Sequence, residues 1–271
     1  MVGVVRAVRA EAFRFRRNIS VLFWGFAFVP VLYVAFGIVL DLTMTSKIGP
    51  FPTQIDPIRQ LTRATSLAGN PIAHLFVAIG AASVFGGDYT QKTWRLLGFR
   101  VHRQSLLMAK WVVYICAAAL GLICSMLGST IAMLVTASLN GLSYVAVMQP
   151  MTSFVTAAFG SILELTVLGT LVAPIAILTR SMLAAVFPAF LLSVGQELVL
   201  AYVLPPAHAS LWLALPTFAG DIIRHAALGT GWMTPPTPEA VTLAVVSLSI
   251  WCVLGLLSTS WLIQRQDWSR E

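Results

Sequence analysis

Residues 18–40 contain no charged side chain, and neither do residues 64–87, 111–163 or 240–264. Uncharged runs of this length dictate the solvent. About 20 apolar residues let an α-helix cross the ~30 Å hydrocarbon core of a bilayer, whereas the strands of a membrane barrel are about 9–11 residues long and alternate in character. Only 10% of the residues are charged and 58% are hydrophobic, where a soluble domain carries about 25% charged residues. A backbone in lipid must satisfy its own hydrogen bonds, and runs of this length do so as helices. The chain reads as an all-α polytopic membrane protein, a single transmembrane domain over residues 1–271.

Six spans are expected, at about 19–40, 68–85, 105–139, 152–178, 182–204 and 240–263. Between the third and fourth no charge marks the boundary, and "NGLSY" with Gln149–Pro150 supplies the punctuation. With the N-terminus in the cytoplasm, one side holds Arg6, Arg9, Arg14, Arg16, Arg17, Lys92, Arg95, Arg100, Arg103, Lys110, Arg180, Arg265 and Arg270, which is 13 of the 17 Lys and Arg residues. The other side keeps Lys47, Arg59, Arg63 and Arg224. Positive charge collects on the cytoplasmic side of membrane proteins, so both termini are expected there. The same asymmetry accounts for the net charge of +7 without nucleic acid, for which the chain offers no soluble basic domain. The basic start has no small-residue cleavage site after the first apolar run, so no cleavable leader is expected. Cys116, Cys124 and Cys252 lie in apolar runs without metal-ligand spacing and read as small buried hydrophobes.

Two further segments are amphipathic. Near the N-terminus Val5, Val8, Ala12 and Phe15 share one face of a helical wheel, with Arg6, Arg14 and Arg17 opposite and Phe13 outside that split. The expectation is a helix lying in the membrane interface, its arginines at lipid phosphates. Residues 205–239, between spans five and six, hold apolar stretches too short to span; a pair of short helices dipping into the outer leaflet is expected, with Asp221 and Arg224 able to pair three residues apart.

The segment between spans two and three is unusually basic. It carries Lys92, Arg95, Arg100, Arg103 and Lys110, with Trp94, Leu97, Val101 and Leu106 at near-helical spacing. That pattern gives a short surface helix with one face free for a partner. Here the sequence resembles the membrane subunits of type-2 ABC exporters. Asp88–Tyr89 stands at the family's acid–aromatic pair, Thr93 at its Thr, Leu96 and Leu97 at its Leu pair, Arg103 at its Arg and Lys110 at its Lys. Lys92 stands where the family has Gly, and Arg100 where it has Pro. The resemblance extends to the order of elements: interfacial helix, six spans, outer re-entrant helices between spans five and six, basic tail.

The resemblance implies a permease subunit of an ATP-driven exporter in the cell (inner or plasma) membrane of a bacterium. Its partners would be a cytosolic ABC ATP-binding subunit, a second permease chain (the same or a related one) and membrane lipids. The segment after span two would be the coupling helix, with Asp88, Tyr89, Thr93, Trp94, Arg95, Leu97, Arg100, Arg103 and Lys110 transmitting motion from the ATPase. The chain has no GxxxxGK[ST] phosphate loop, so ATP and Mg belong to the partner and this chain is expected to bind no cofactor or metal and to catalyse no reaction.

Glu164 and Glu197 fall inside spans four and five. A charge at the bilayer centre costs about 2.5–3.5 kcal/mol on insertion scales, so each must face protein, water or a partner. They read either as pathway or gate residues or as interhelical hydrogen-bonding groups, with Gln196 and nearby Ser and Thr as candidate partners. His74, alone among apolar residues of span two, reads as a packed or hydrogen-bonded side chain, and Pro30, Pro174 and Pro188 as sites of kinking. Two alternative functions remain. One is an intramembrane enzyme such as a rhomboid-like serine protease, for which Gly160–Ser161 is the weak candidate; the other is an ATPase-independent channel or secondary transporter.

Overall fold

The uncharged runs become helices. The computed structural model describes residues 2–48, 54–90, 102–140, 143–144, 149–202, 214–229 and 236–265. Helix α1 (Val2–Arg17) precedes a first span made of α2 (Ile19–Leu22), a π turn (Phe23–Ala27) and α3 (Phe28–Ile48). Helix α4 (Pro57–Ala64) and a 3-10 turn (Thr65–Gly69) lead into α5 (Pro71–Thr90). Then follow α6 (Arg103–Asn140), α7 (Met151–Thr179), α8 (Met182–Tyr202), α9 (Pro216–Leu228) and α10 (Pro238–Arg265). Six segments are long and apolar enough to cross a membrane: Ile19–Val39, Pro71–Tyr89, Arg103–Ser138, Met151–Thr179, Met182–Val199 and Pro238–Arg265. The chain is a helical membrane protein; a two-residue parallel pairing of Gln54–Ile55 with Ser143–Tyr144 joins two of its connections.

The surface is inverted relative to a water-soluble bundle. Val31 and Phe36 on α3, Leu183, Phe187 and Leu191 on α8, and Leu243, Ile250, Val253, Leu257 and Trp261 on α10 are all exposed. The interior combines many alanines and buried polar groups such as Thr62, Ser161 and Thr259 with large apolar side chains such as Phe85, Tyr114 and Leu248. Helix α5 packs on α7 and α8, α6 on α1 and α3, and α10 on α7 and α9. An aromatic knot ties the first three spans: Phe85 lies 4.7 Å from Trp111 and 6.0 Å from Tyr114, and Phe26 lies 6.2 Å from Tyr114. The Tyr114 hydroxyl, fully buried, donates to the Leu165 carbonyl on α7 at 2.5 Å.

Local chemistry sets the boundaries. The second span begins at Pro71 rather than at residue 68, because residues 65–69 form the 3-10 turn and the Asn70 side chain accepts from Ile72 N at 2.8 Å, starting a helix with Pro at its first position. In the first span Pro30 has no N–H, so the Phe26 carbonyl loses its usual i+4 donor, and the π turn lies just before it. That carbonyl faces α6 where a side chain is missing: a Cβ on Gly121 would stand 2.9 Å from the Phe26 oxygen. A Cβ on Gly25 would likewise stand 2.7 Å from the Gly80 Cα, so the first and second spans cross at two glycines.

Successive spans alternate in direction, which gives the bundle two ends. One holds α1, the end of α5 and the starts of α6 and α8. The other holds α4, the 3-10 turn, the parallel pairing and α9.

Candidate functional site

Each end of the bundle contains a buried cluster of charged side chains. At the α1 end, Asp88 near the end of α5 and Lys110 in the third turn of α6 are both essentially inaccessible. Lys110 Nζ lies 2.6 Å from Asp88 Oδ2 and donates to the Val84 carbonyl at 2.6 Å. Helix α1 adds the other two members. Glu11, also buried, sits 3.7 Å from Lys110 Nζ and 3.1 Å from Arg14, and Arg14 donates to Asp88. Two acids and two bases thus balance. Together they fix α1 to the end of α5 and the start of α6.

This arrangement departs from the helical wheel. The face of α1 that meets α6 carries Ala7, Glu11 and the part-buried Arg14, while Val5, Ala12 and Phe13 are exposed. Arg14 turns inward, whereas Arg6 and Arg17 are exposed and Arg17 lies 5.6 Å from the centre of the Phe13 ring. Arg103 donates to the Gln264 carbonyl at 3.1 Å and the Ile263 carbonyl at 3.5 Å, capping the last turn of α10. Tyr89 is part-buried beside Asp88. Thr93, Trp94, Arg95, Leu97 and Arg100 lie outside the described residues.

The opposite end is built around α9. Its N-terminal Thr217 N–H donates to Gln196 Oε1 of α8 at 2.9 Å, and Gln149 Nε2, just before α7, donates to its Leu228 carbonyl at 2.9 Å. Both helix ends are therefore capped by side chains from other elements. Between the caps, Arg224 reaches Glu164 near the middle of α7 and Asp221 on its own helix at 2.6 Å. Burial opposes the charge on Arg224, but the two carboxylates outweigh it and raise the pKa above the ordinary arginine value. Glycines make room: a Cβ on Gly220 would lie 2.6 Å from the Glu164 carboxyl carbon, and one on Gly69 would lie 3.0 Å from Arg224 Cζ.

His74 of α5 completes this cluster. Its Nδ1 lies 2.5 Å from Ser193 Oγ on α8, and its Nε2 lies 3.7 Å from Glu164 Oε1, beyond hydrogen-bond reach. His74, Ser193 and Glu164 are each at most 3% exposed. The adjoining cavity, lined by these three with Gln196 and Thr217, holds about 20 Å³. The row Ser193–His74–Glu164 has the residue types of a hydrolytic triad, but the space beside the hydroxyl admits about one water molecule and no acyl group. Ser161, the serine expected from sequence, instead donates to the Thr65 carbonyl at 3.2 Å. Glu164 thus finds its partner in Arg224 rather than in Gln196, and Glu197 is half-buried with no ion pair among the described residues.

The sequence places Asp221 and Arg224 three apart on one face of a short outer helix and pairs them with each other, without reaching Glu164. The signal for the longer-range pair was an arginine inside an apolar stretch, because a buried carboxylate in one span needs a base from elsewhere. Glu11 was passed over for the same reason, as one acid among arginines. No protein-family model matches this chain, and none of the curated proteins matches it in sequence.

Proposed function

We propose that this chain is the membrane-spanning permease subunit of an ATP-driven exporter, coupled to a separate cytosolic ATP-binding subunit through residues 91–101. The observation that carries the reading is the buried Asp88–Lys110 pair, reinforced by Glu11 and Arg14. A lever that passes force from a partner to two spans needs its two feet tied, and this cluster ties the end of α5 to the start of α6. The resemblance in this segment and the excess of basic residues at the α1 end support the same reading, with both termini on the ATPase side. On this reading α9 is one of the re-entrant helices on the far side, and Glu164 lies on or beside the pathway.

The test is purification of the chain from its native membrane in mild detergent. An ATP-hydrolysing subunit should accompany it, and Arg95→Glu with Arg100→Glu should abolish that association while the chain still folds. An assembly that never contains a nucleotide-hydrolysing partner ends the proposal. A second reading, an intramembrane hydrolase, draws on the Ser193–His74–Glu164 row. It requires that Ser193→Ala abolish a hydrolytic activity of the purified chain, and that the cavity open to admit substrate.

A further inference from the structure

A cleft of about 340 Å³ opens at the α1 end of the bundle, between α1, the start of the first span, α5 and the start of α8. Small-molecule sites usually measure about 300–1,000 Å³. Asn18 begins the first span, Gly87 lies in the last turn of α5 and Met182 opens α8, so the cleft stands where spans pass from hydrocarbon to headgroups. Its lining is mixed. Arg14, Arg17, Asn18 and Ser83 bring polar atoms, whereas Phe15, Val21, Val113 and Met182 bring apolar surface.

The polar part has a definite chemistry. Glu11 and Asp88 balance Arg14 and Lys110, which leaves Arg17 as the surplus cation. Arg17 is exposed and lies against the Phe13 ring, with no carboxylate partner among the described residues. Arg14 gives one N–H to Asp88 and one to Glu11, and it keeps further N–H groups on a side chain still 37% exposed. The Asn18 oxygen accepts from Val21 N at 3.4 Å, so its amide nitrogen keeps its donors. Ser83 donates to the Ile79 carbonyl at 2.8 Å and keeps an acceptor oxygen.

Donors predominate, one positive charge is in surplus, and one acceptor stands among them. A singly charged phosphodiester that carries a hydroxyl group matches this set: its phosphate oxygens accept from the donors, and its hydroxyl donates to Ser83. A zwitterionic head would bring a second cation to a site already in positive surplus. The apolar surface continues outward, because Ile19 and Leu183, sequence neighbours of Asn18 and Met182, are 75% and 71% exposed.

We propose that this cleft binds the headgroup of one anionic phospholipid from the leaflet on the α1 side, with its phosphate at Arg14, Arg17 and Asn18 and its acyl chains passing out over Ile19 and Leu183. The lipid is a ligand of fixed stoichiometry, distinct from the general attraction of the outer arginines of α1 for a charged surface. It joins α1 to the first span and to α8. The site does not rest on the transport reading.

The test is native mass spectrometry of the full chain released from detergent micelles and titrated with phosphatidylglycerol or with phosphatidylcholine of the same acyl chains. One phosphatidylglycerol should be retained at concentrations where phosphatidylcholine is not. Arg17→Ala should weaken that binding about tenfold. Arg9→Ala, at an equally exposed arginine of α1 that does not line the cleft, should leave it unchanged. A Cβ on Gly87 would meet nothing within 4 Å, so Gly87→Leu should fold, fill the cleft and exclude the headgroup. Equal retention of the two lipids, equal losses in Arg9→Ala and Arg17→Ala, or undiminished binding by Gly87→Leu overturns the proposal. Displacement of the lipid by excess inorganic phosphate would reveal a site for the free anion and overturns the lipid assignment.

Discussion

Arg224 and Glu164 are 60 residues apart in sequence, and their side chains meet inside the bundle with each 2% exposed. Helix α9 enters the fold through this contact. Removing one partner of a buried pair leaves the other as an uncompensated charge, at a cost of about 3–5 kcal/mol. Arg224→Ala or Glu164→Ala alone should lower stability by that order in detergent unfolding experiments. Glu164→Leu combined with Arg224→Met should recover most of the loss. Additive losses in the double variant would show that the two side chains are independent.

The same reasoning applies to Lys110 and Asp88, 1% and 0% exposed. Lys110→Met should destabilise by about 3–5 kcal/mol, and adding Asp88→Asn should restore a large part of it. If the cluster also anchors α1, the single variant should make residues 2–17 more susceptible to limited proteolysis, and that accessibility is the second measurement.

The cap on α9 predicts a smaller effect. Gln196→Leu strands the Thr217 N–H inside the protein, which costs about 1–3 kcal/mol. The change should appear as faster hydrogen exchange in the first turn of α9, with the rest of α8 unaffected.

At the crossing of the first two spans, Gly25→Val should force the helices apart or distort them, a packing penalty of about 1–3 kcal/mol. Gly3→Val, where an added Cβ would meet nothing within 4 Å, is the matched control and should be nearly silent.

Arg180 ends α7 in the left-handed region with φ 55°. A side chain there is strained, and glycine is the usual occupant of such a helix end. Arg180→Gly should be more stable than Arg180→Ala, which loses the same side-chain contacts, by about 1 kcal/mol, measured as a higher unfolding midpoint.

The six spans were legible because each is a long apolar run broken by at most one charge, and lipid leaves such a run one solution. Their ends were less so: residues 65–69 are apolar enough to extend the second span, but Asn70 and Pro71 start the helix later. The pairing of charges was hidden for a different reason. A helical wheel sorts residues by hydropathy and places Arg14 outward with Arg6 and Arg17. It has no knowledge of Asp88, which stands within reach of Arg14 only once α5 and α1 have packed. Phe13, off the apolar face of the wheel, is exposed in the structure as well and gave no sign of the turn. Ser193 and His74, 119 residues apart, carried no sign of their contact either.

The π turn at Phe23–Ala27 is equivalent to an α-helix holding one surplus residue. Deleting a residue elsewhere in a span swings everything beyond it by about 100° and exchanges buried positions for lipid-facing ones. Deleting one within 23–27 has a cheaper outcome, since the loop of backbone can tighten into ordinary helix while α3 keeps its orientation. The first span therefore carries slack, and its length can change by one without re-indexing which side chains look outward.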